Sequence, residues 1–193
     1  MLSAYYLRAH MYTCVPGQIR DDTQWMADVG TDAVTVAVLE QDLTAALENL
    51  HWIADEADKA GLKLWAVPSR WGGLVAGAPK VPSMWASLAK DAWMLKANGE
   101  PHGFLGPLAS VHHPATYEFF CRNLETLFGE VPVGGVIWDE PKGLDKPDYS
   151  PAARSAAEEA AKDLADATWQ TQAFVGFFDR LNAFIKDRWP HTT

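Results

Sequence analysis

Val131-Pro132-Val133-Gly134-Gly135-Val136-Ile137-Trp138-Asp139-Glu140-Pro141 is the stretch whose reading decides the fold. It reads as a short buried strand running into two adjacent carboxylates, because a parallel strand covered on both faces is a near-continuous apolar run. Pro141 closes it, since proline cannot donate to a strand ladder. Open α/β sheets and barrels place their chemistry at strand ends, which makes Asp139 and Glu140 candidate site residues. Successive side chains along a strand face opposite ways. Only one of the two acids therefore points along a barrel axis, and Glu140 is favoured for that place as an acid/base.

Two more strands of the same character precede it. Residues 33–39 (AVTVAVL) are a continuous, largely β-branched run with Glu40 at its exit, and residues 62–67 (LKLWAV) lead into Pro68-Ser69-Arg70-Trp71. Residues 5–13 alternate with period two, which is the signature of a first strand. Between the strands, apolar positions recur at helical spacing over 18–29 and from Asp42, read as a cap, to Gly61. Gly30 and Gly61 are natural stops. A third helix starts at His113-Pro114 and ends at Gly129, and two more are expected over 151–164 and 168–189. Residues 69–112 hold no sustained period and are rich in Gly, Pro and Trp. A connection of that length is usually functional. It reads as an excursion over the site, with a short helix near 82–95.

Strand and helix alternate throughout, so the sheet is parallel with right-handed crossovers. Four βα units are read within a single domain spanning 1–193. Four units make an open sheet or half of an eight-unit barrel of the TIM type.

Composition narrows the partners. The 193 residues are 48% hydrophobic and 21% charged, with a net charge of −9. That charge repels nucleic acid and anionic membranes at long range. The opening residues have no basic, long apolar leader pattern and no segment reaches spanning length, so a cytoplasmic location is the expectation. Cys14 and Cys121 follow no metal-like spacing and read as buried thiols. Nine tryptophans stand out. Trp71, Trp85 and Trp93 fall in the irregular segment, where an indole face suits the CH-rich face of a sugar or packs the loop on itself.

Trp138-Asp139-Glu140-Pro141 resembles the strand-four Asn-Glu-Pro signature of the large clan of (β/α)₈ glycoside hydrolases. Pro68-Ser69-Arg70-Trp71, and Gly106 to Pro114 leading into the next helix, are similar to its β-galactosidase-like and uncharacterised members. The resemblance implies a glycosidase of carbohydrate metabolism with Glu140 as general acid/base and no cofactor. Asp139 stands where the clan has Asn, and an ionised Asp cannot donate to a sugar hydroxyl. Trp138, Asp139, Arg70, Trp71, His112 and His113 would contact substrate, with Arg8 and His10 at the exit of the first strand. The clan's second carboxylate lies on a seventh strand. Glycoside hydrolysis needs two carboxylates flanking the bond, so a C-terminal half of the barrel or a homodimer would have to supply the other.

Two other readings stay open. One is a noncatalytic sugar-binding or half-barrel assembly module. The other is a metal-dependent isomerase or hydrolase built on His112, His113, His10 and the strand-end acids. Adjacent histidines do not readily face one ion, and metal is not the reading adopted.

Overall fold

The computed structural model describes residues 1–6, 15–77, 80–103 and 105–192. Three parallel strands lie in the order β1 (Ser3–Tyr6), β2 (Ala33–Val38), β3 (Lys63–Pro68). The helices are α1 (Pro16–Asp28), α2 (Glu40–Ala45), α3 (Leu47–Lys59), α4 (Met84–Leu88), α5 (Pro114–Glu130), α6 (Pro151–Glu159) and α7 (Ala167–Arg188). The fold is thus the parallel α/β arrangement expected. Most of the first strand's predicted span, with Arg8, His10 and Cys14, lies outside the described residues.

The fourth strand is present only in outline. Ala66 N donates to the Gly135 carbonyl at 2.9 Å, Ile137 N donates to the Ala66 carbonyl at 2.9 Å, and Ala66 and Val136 form one parallel bridge. Gly134 N also donates to the Leu64 carbonyl at 2.8 Å, so the segment lies beside β3 as a fourth strand would, but Ala66 and Val136 alone complete a bridge among the described residues. Pro132 has no N–H to offer, and the Gly134-Gly135 pair adds no side chain to hold the pleat. A continuous strand over 131–141 is therefore corrected to a short parallel contact.

Helix boundaries shift for identifiable reasons. The single helix expected from Asp42 to Gly61 is two, broken at Ala46 with φ −144°. Asp42 sits inside α2 rather than before it, and its carboxylate accepts from Leu39 N at 2.8 Å. α5 runs through Gly129 to Glu130. α6 ends at Glu159, short of the expected 164, where Ala161 turns to φ 51°. The short helix near 82–95 is α4 followed by a 3-10 turn at Lys90–Ala92.

The sheet has two distinct faces. Val34, Val36, Val38, Leu64 and Ala66 join one apolar core with Leu50 and Ile53 of α3 and Phe120, Phe177 and Leu181 of α5 and α7. Ala33, Thr35, Ala37, Trp65 and Val67 alternate onto the opposite face. Phe120 is the centre of the helix side. It meets Trp71, Phe119, Trp138, Phe177 and Phe178 at centroid separations of 5.2 to 6.5 Å, mostly edge-on, the arrangement ring quadrupoles favour.

Beyond β3 the chain doubles back on its own exit. Gly77 has φ +107°, and a Cβ there would lie 2.3 Å from Ser69 Oγ. Only glycine allows this approach. Ala76 N then donates to the Asp139 carbonyl and Lys142 N to the Leu74 carbonyl, at 2.8 and 2.7 Å. The turn after β3 and the exit of the fourth segment are thereby tied together.

Candidate active site

The two acids at the exit of the fourth segment occupy different surroundings. Trp138 turns toward the helices: its ring lies 5.3 Å from Phe178 and 6.1 Å from Phe120, and its Nε1 donates to Asn182 Oδ1 at 2.8 Å. Val136 is on the same side, paired with Ala66 of the core. Ile137, next to the bridged Val136, is exposed. Asp139 is half-buried, with its carbonyl held by Ala76 N.

Glu140 differs. Its φ is +37°, in the left-handed region that a non-glycine residue seldom adopts. Its side chain is exposed and its Oε2 accepts from Lys142 Nζ at 2.6 Å. The Lys142 ammonium, through its hydrogen bond and charge, pulls the Glu140 carboxyl below its ordinary range. A general acid at neutral pH needs the opposite shift. The described residues leave the Glu140 side chain 72% exposed, so they do not supply the burial that would raise it.

The other sequence candidates separate into distinct groups. Trp71 is fully buried, with Nε1 donating to the Val38 carbonyl at 3.0 Å and its ring against Phe119 and Phe120. It is a core residue, and its faces are not open to a sugar. Arg70 is buried at the left-handed turn after β3, φ 65°. Trp85 and Trp93 keep part of their surface. Trp85 stacks on Phe119 at 4.5 Å, and Trp93 Nε1 donates to the Ala86 carbonyl at 2.6 Å.

The histidines point elsewhere. His112 stacks on Trp169 of α7 at 4.9 Å, and burial pushes its pKa down, opposed by Asp148 and Gln170. His113 precedes α5, with Nε2 at 4.0 Å from Asp91 Oδ2. Their contacts run to α7 and Asp91 rather than to Asp139 or Glu140. Among the described residues, no three His, Cys, Asp or Glu side chains gather to hold a metal ion. Arg8 and His10 lie outside the described residues. Cys121 is a half-buried free thiol whose pKa burial pushes up.

One acid that sequence reasoning left out of the site is Glu40, at the exit of β2. It is only 4% exposed. Ser83 Oγ donates to its Oε1 at 2.5 Å and Trp85 N to its Oε2 at 2.7 Å, with the backbone of Gly72 and Met84 as further donors. Burial raises its pKa, and these bonds work against the rise. The signal that could have found it is the one used for Asp139: a carboxylate directly after a buried apolar strand.

No protein-family model matches the chain, and no curated protein matches it in sequence. Solved structures do match in fold. The α-L-fucosidase isoenzyme 2 of Paenibacillus thiaminolyticus superposes with a TM-score of 0.68 at 10% identity, over 96% of this chain and 30% of its own. The GH36 α-galactosidase AgaA of Geobacillus stearothermophilus in complex with raffinose gives 0.65 at 12%, over 99% of this chain and 27% of its own. The β-N-acetylhexosaminidase of Bacteroides fragilis gives 0.63 at 14%, over 97% and 40%. The fold is therefore that of a segment of TIM-barrel glycoside hydrolases, and the chain spans between about a quarter and two fifths of these proteins' lengths. Among the described residues, no helix is long and apolar enough to cross a membrane.

Proposed function

We propose that the chain is a glycoside-hydrolase-type barrel segment that takes a carbohydrate at the exits of its parallel strands. The observation that carries this reading is the Trp138-Asp139-Glu140 exit. Trp138 is anchored among the helix aromatics, Asp139 follows it half-buried with its carbonyl held by Ala76 N, and the whole stands beside β3 in a fold shared with glycosidases. Of the two acids, half-buried Asp139 is preferred here to the exposed, Lys142-paired Glu140 as the one that meets the sugar. An aspartate there accepts hydrogen bonds from sugar hydroxyls or assists at the anomeric carbon.

Glu140 as general acid/base is the second reading, carried by the likeness of Trp138-Asp139-Glu140-Pro141 to the Asn-Glu-Pro signature. It requires the Lys142 pair to open and water to be excluded, so that the carboxyl is raised rather than lowered. Hydrolysis requires a second carboxylate across the scissile bond. The reading places it outside these four units, on further chain or on a second copy that closes the barrel.

Saturation-transfer NMR of the chain against galactose, fucose and N-acetylglucosamine, with aryl glycosides assayed in parallel, tests the proposal. Binding of at least one sugar that Asp139→Asn weakens and Glu140→Gln leaves intact supports the Asp139 assignment. The reverse pattern selects Glu140, and no binding or turnover with any of them overturns the carbohydrate reading. Sedimentation in solution tests closure by a second copy: a monomer at all concentrations rules it out.

A further inference from the structure

Glu40 has a side chain that its own helix does not use. Asp42 already satisfies Leu39 N at the start of α2. The Glu40 carboxylate instead reaches partners 43 and 45 residues downstream, Ser83 Oγ and Trp85 N, together with the backbone of Met84 and Gly72. All of these donors belong to the segment between β3 and α5. A carboxylate this deeply buried is tolerable only where donors converge on it, and here they come from a segment with little regular structure.

The consequences run outward from that point. Ser83 is itself buried and accepts from Ala86 N at 3.0 Å, which caps α4. The Ala86 carbonyl holds Trp93 Nε1 at 2.6 Å, and Trp85 lies flat on Phe119 with 10° between the rings. Trp93 in turn bridges to Ala109. One carboxylate thus fixes α4, and α4 fixes the two part-exposed indoles of the segment.

We propose that Glu40 is a latch that positions Trp85 and Trp93, seating the segment between β3 and α5 at the exit of β2. Its role does not depend on which ligand the strand exits take. A shorter side chain could not span to Ser83, and an amide presents one acceptor and an NH₂ group to a ring of donors.

Amide hydrogen exchange on the whole chain, without sugar, tests the latch separately from the carbohydrate reading. In Glu40→Gln, the amides of Gly72 and Trp85 are expected to exchange at least about tenfold faster, while Val36 and Leu64 in the sheet keep their protection. A spectroscopic readout separates positioning from general support. The acrylamide-quenchable fluorescence lost on Trp93→Phe should be larger in the Glu40→Gln background than in the natural chain. Exchange at Gly72 and Trp85 within twofold of the natural chain, or an unchanged Trp93 contribution, overturns the proposal. Should Glu40→Gln fail to fold, Ser83→Ala keeps the carboxylate and removes one arm. It is expected to speed exchange at Trp85 and Gly72, whose amides meet the Glu40 carboxylate rather than Ser83, and no change there is equally fatal to the latch.

Discussion

Glu40 stands directly behind a run of apolar strand-like sequence and Glu140 one residue behind another, yet they are held in opposite ways. Glu40 is buried, meets backbone and hydroxyl donors, and has its carboxyl pushed up by loss of water. Glu140 is exposed, meets an ammonium, and has its carboxyl pulled down. The comparison separates a residue's place in a motif from its chemistry. What decides the chemistry is the surroundings: α4 folds over the exit of β2, whereas Glu140 pairs with Lys142, two residues on.

Substitution should break the two apart. Glu40→Ala leaves Ser83 Oγ and Trp85 N without their acceptor. Unpaired buried donors cost about 1–3 kcal/mol each, offset in part by removal of a desolvated charge. A net loss of roughly 2 kcal/mol in urea unfolding is expected on that basis. Glu140→Ala should leave the midpoint where it is. Equal shifts for the two variants would erase the distinction.

The pH dependence has a definite sign for each group. A carboxyl raised in the folded chain favours folding when protonated. The Glu40 contribution is therefore fully present below 4.5 and is lost as pH rises through the folded value. Glu40→Gln should remove that part of the slope. His112 provides a control of the other sense. Its folded pKa is depressed, so its contribution is present above 6.5 and is lost as pH falls through the folded value. His112→Gln should flatten the stability profile on the acid side of 6.5 and leave the Glu40 window intact.

The smallest effect sharpens the comparison most directly. A carboxyl-carbon NMR titration should place the Glu40 midpoint above 4.5 and the Glu140 midpoint below it. Lys142→Met should move Glu140 back toward its ordinary value and leave Glu40 unmoved. A Glu140 midpoint that ignores Lys142 would mean the ion pair is not formed in solution.

Much of the architecture is legible in residue order. The β-branched run at 33–39 and the apolar run at 62–67 became β2 and β3, and the helical spacing of Phe174, Phe177, Phe178, Leu181 and Ile185 became the buried stripe of α7. These features are local, because periodicity states which face is buried without reference to any partner. The candidate site was legible only as positions. Trp71 looked like a sugar platform because it lies in an irregular segment, and it is buried because Val38 and the ring of Phe120 meet it from distant parts of the chain. His112 looked like a site histidine and faces Trp169 of a helix more than fifty residues later.

The sequence by itself determined the parallel α/β order, the helix faces, and the presence of acids at the strand exits, since each follows from local pattern and the geometry of strand and helix. Only the tertiary structure decided which acid is buried and which is paired with a lysine. Those properties depend on donors, charges and excluded water contributed by residues far away in sequence. At the exit of Val131–Pro141 it left Asp139 half-buried, with Glu140 beside Lys142. At the exit of β2 it made Glu40 the buried centre to which the long segment is fastened.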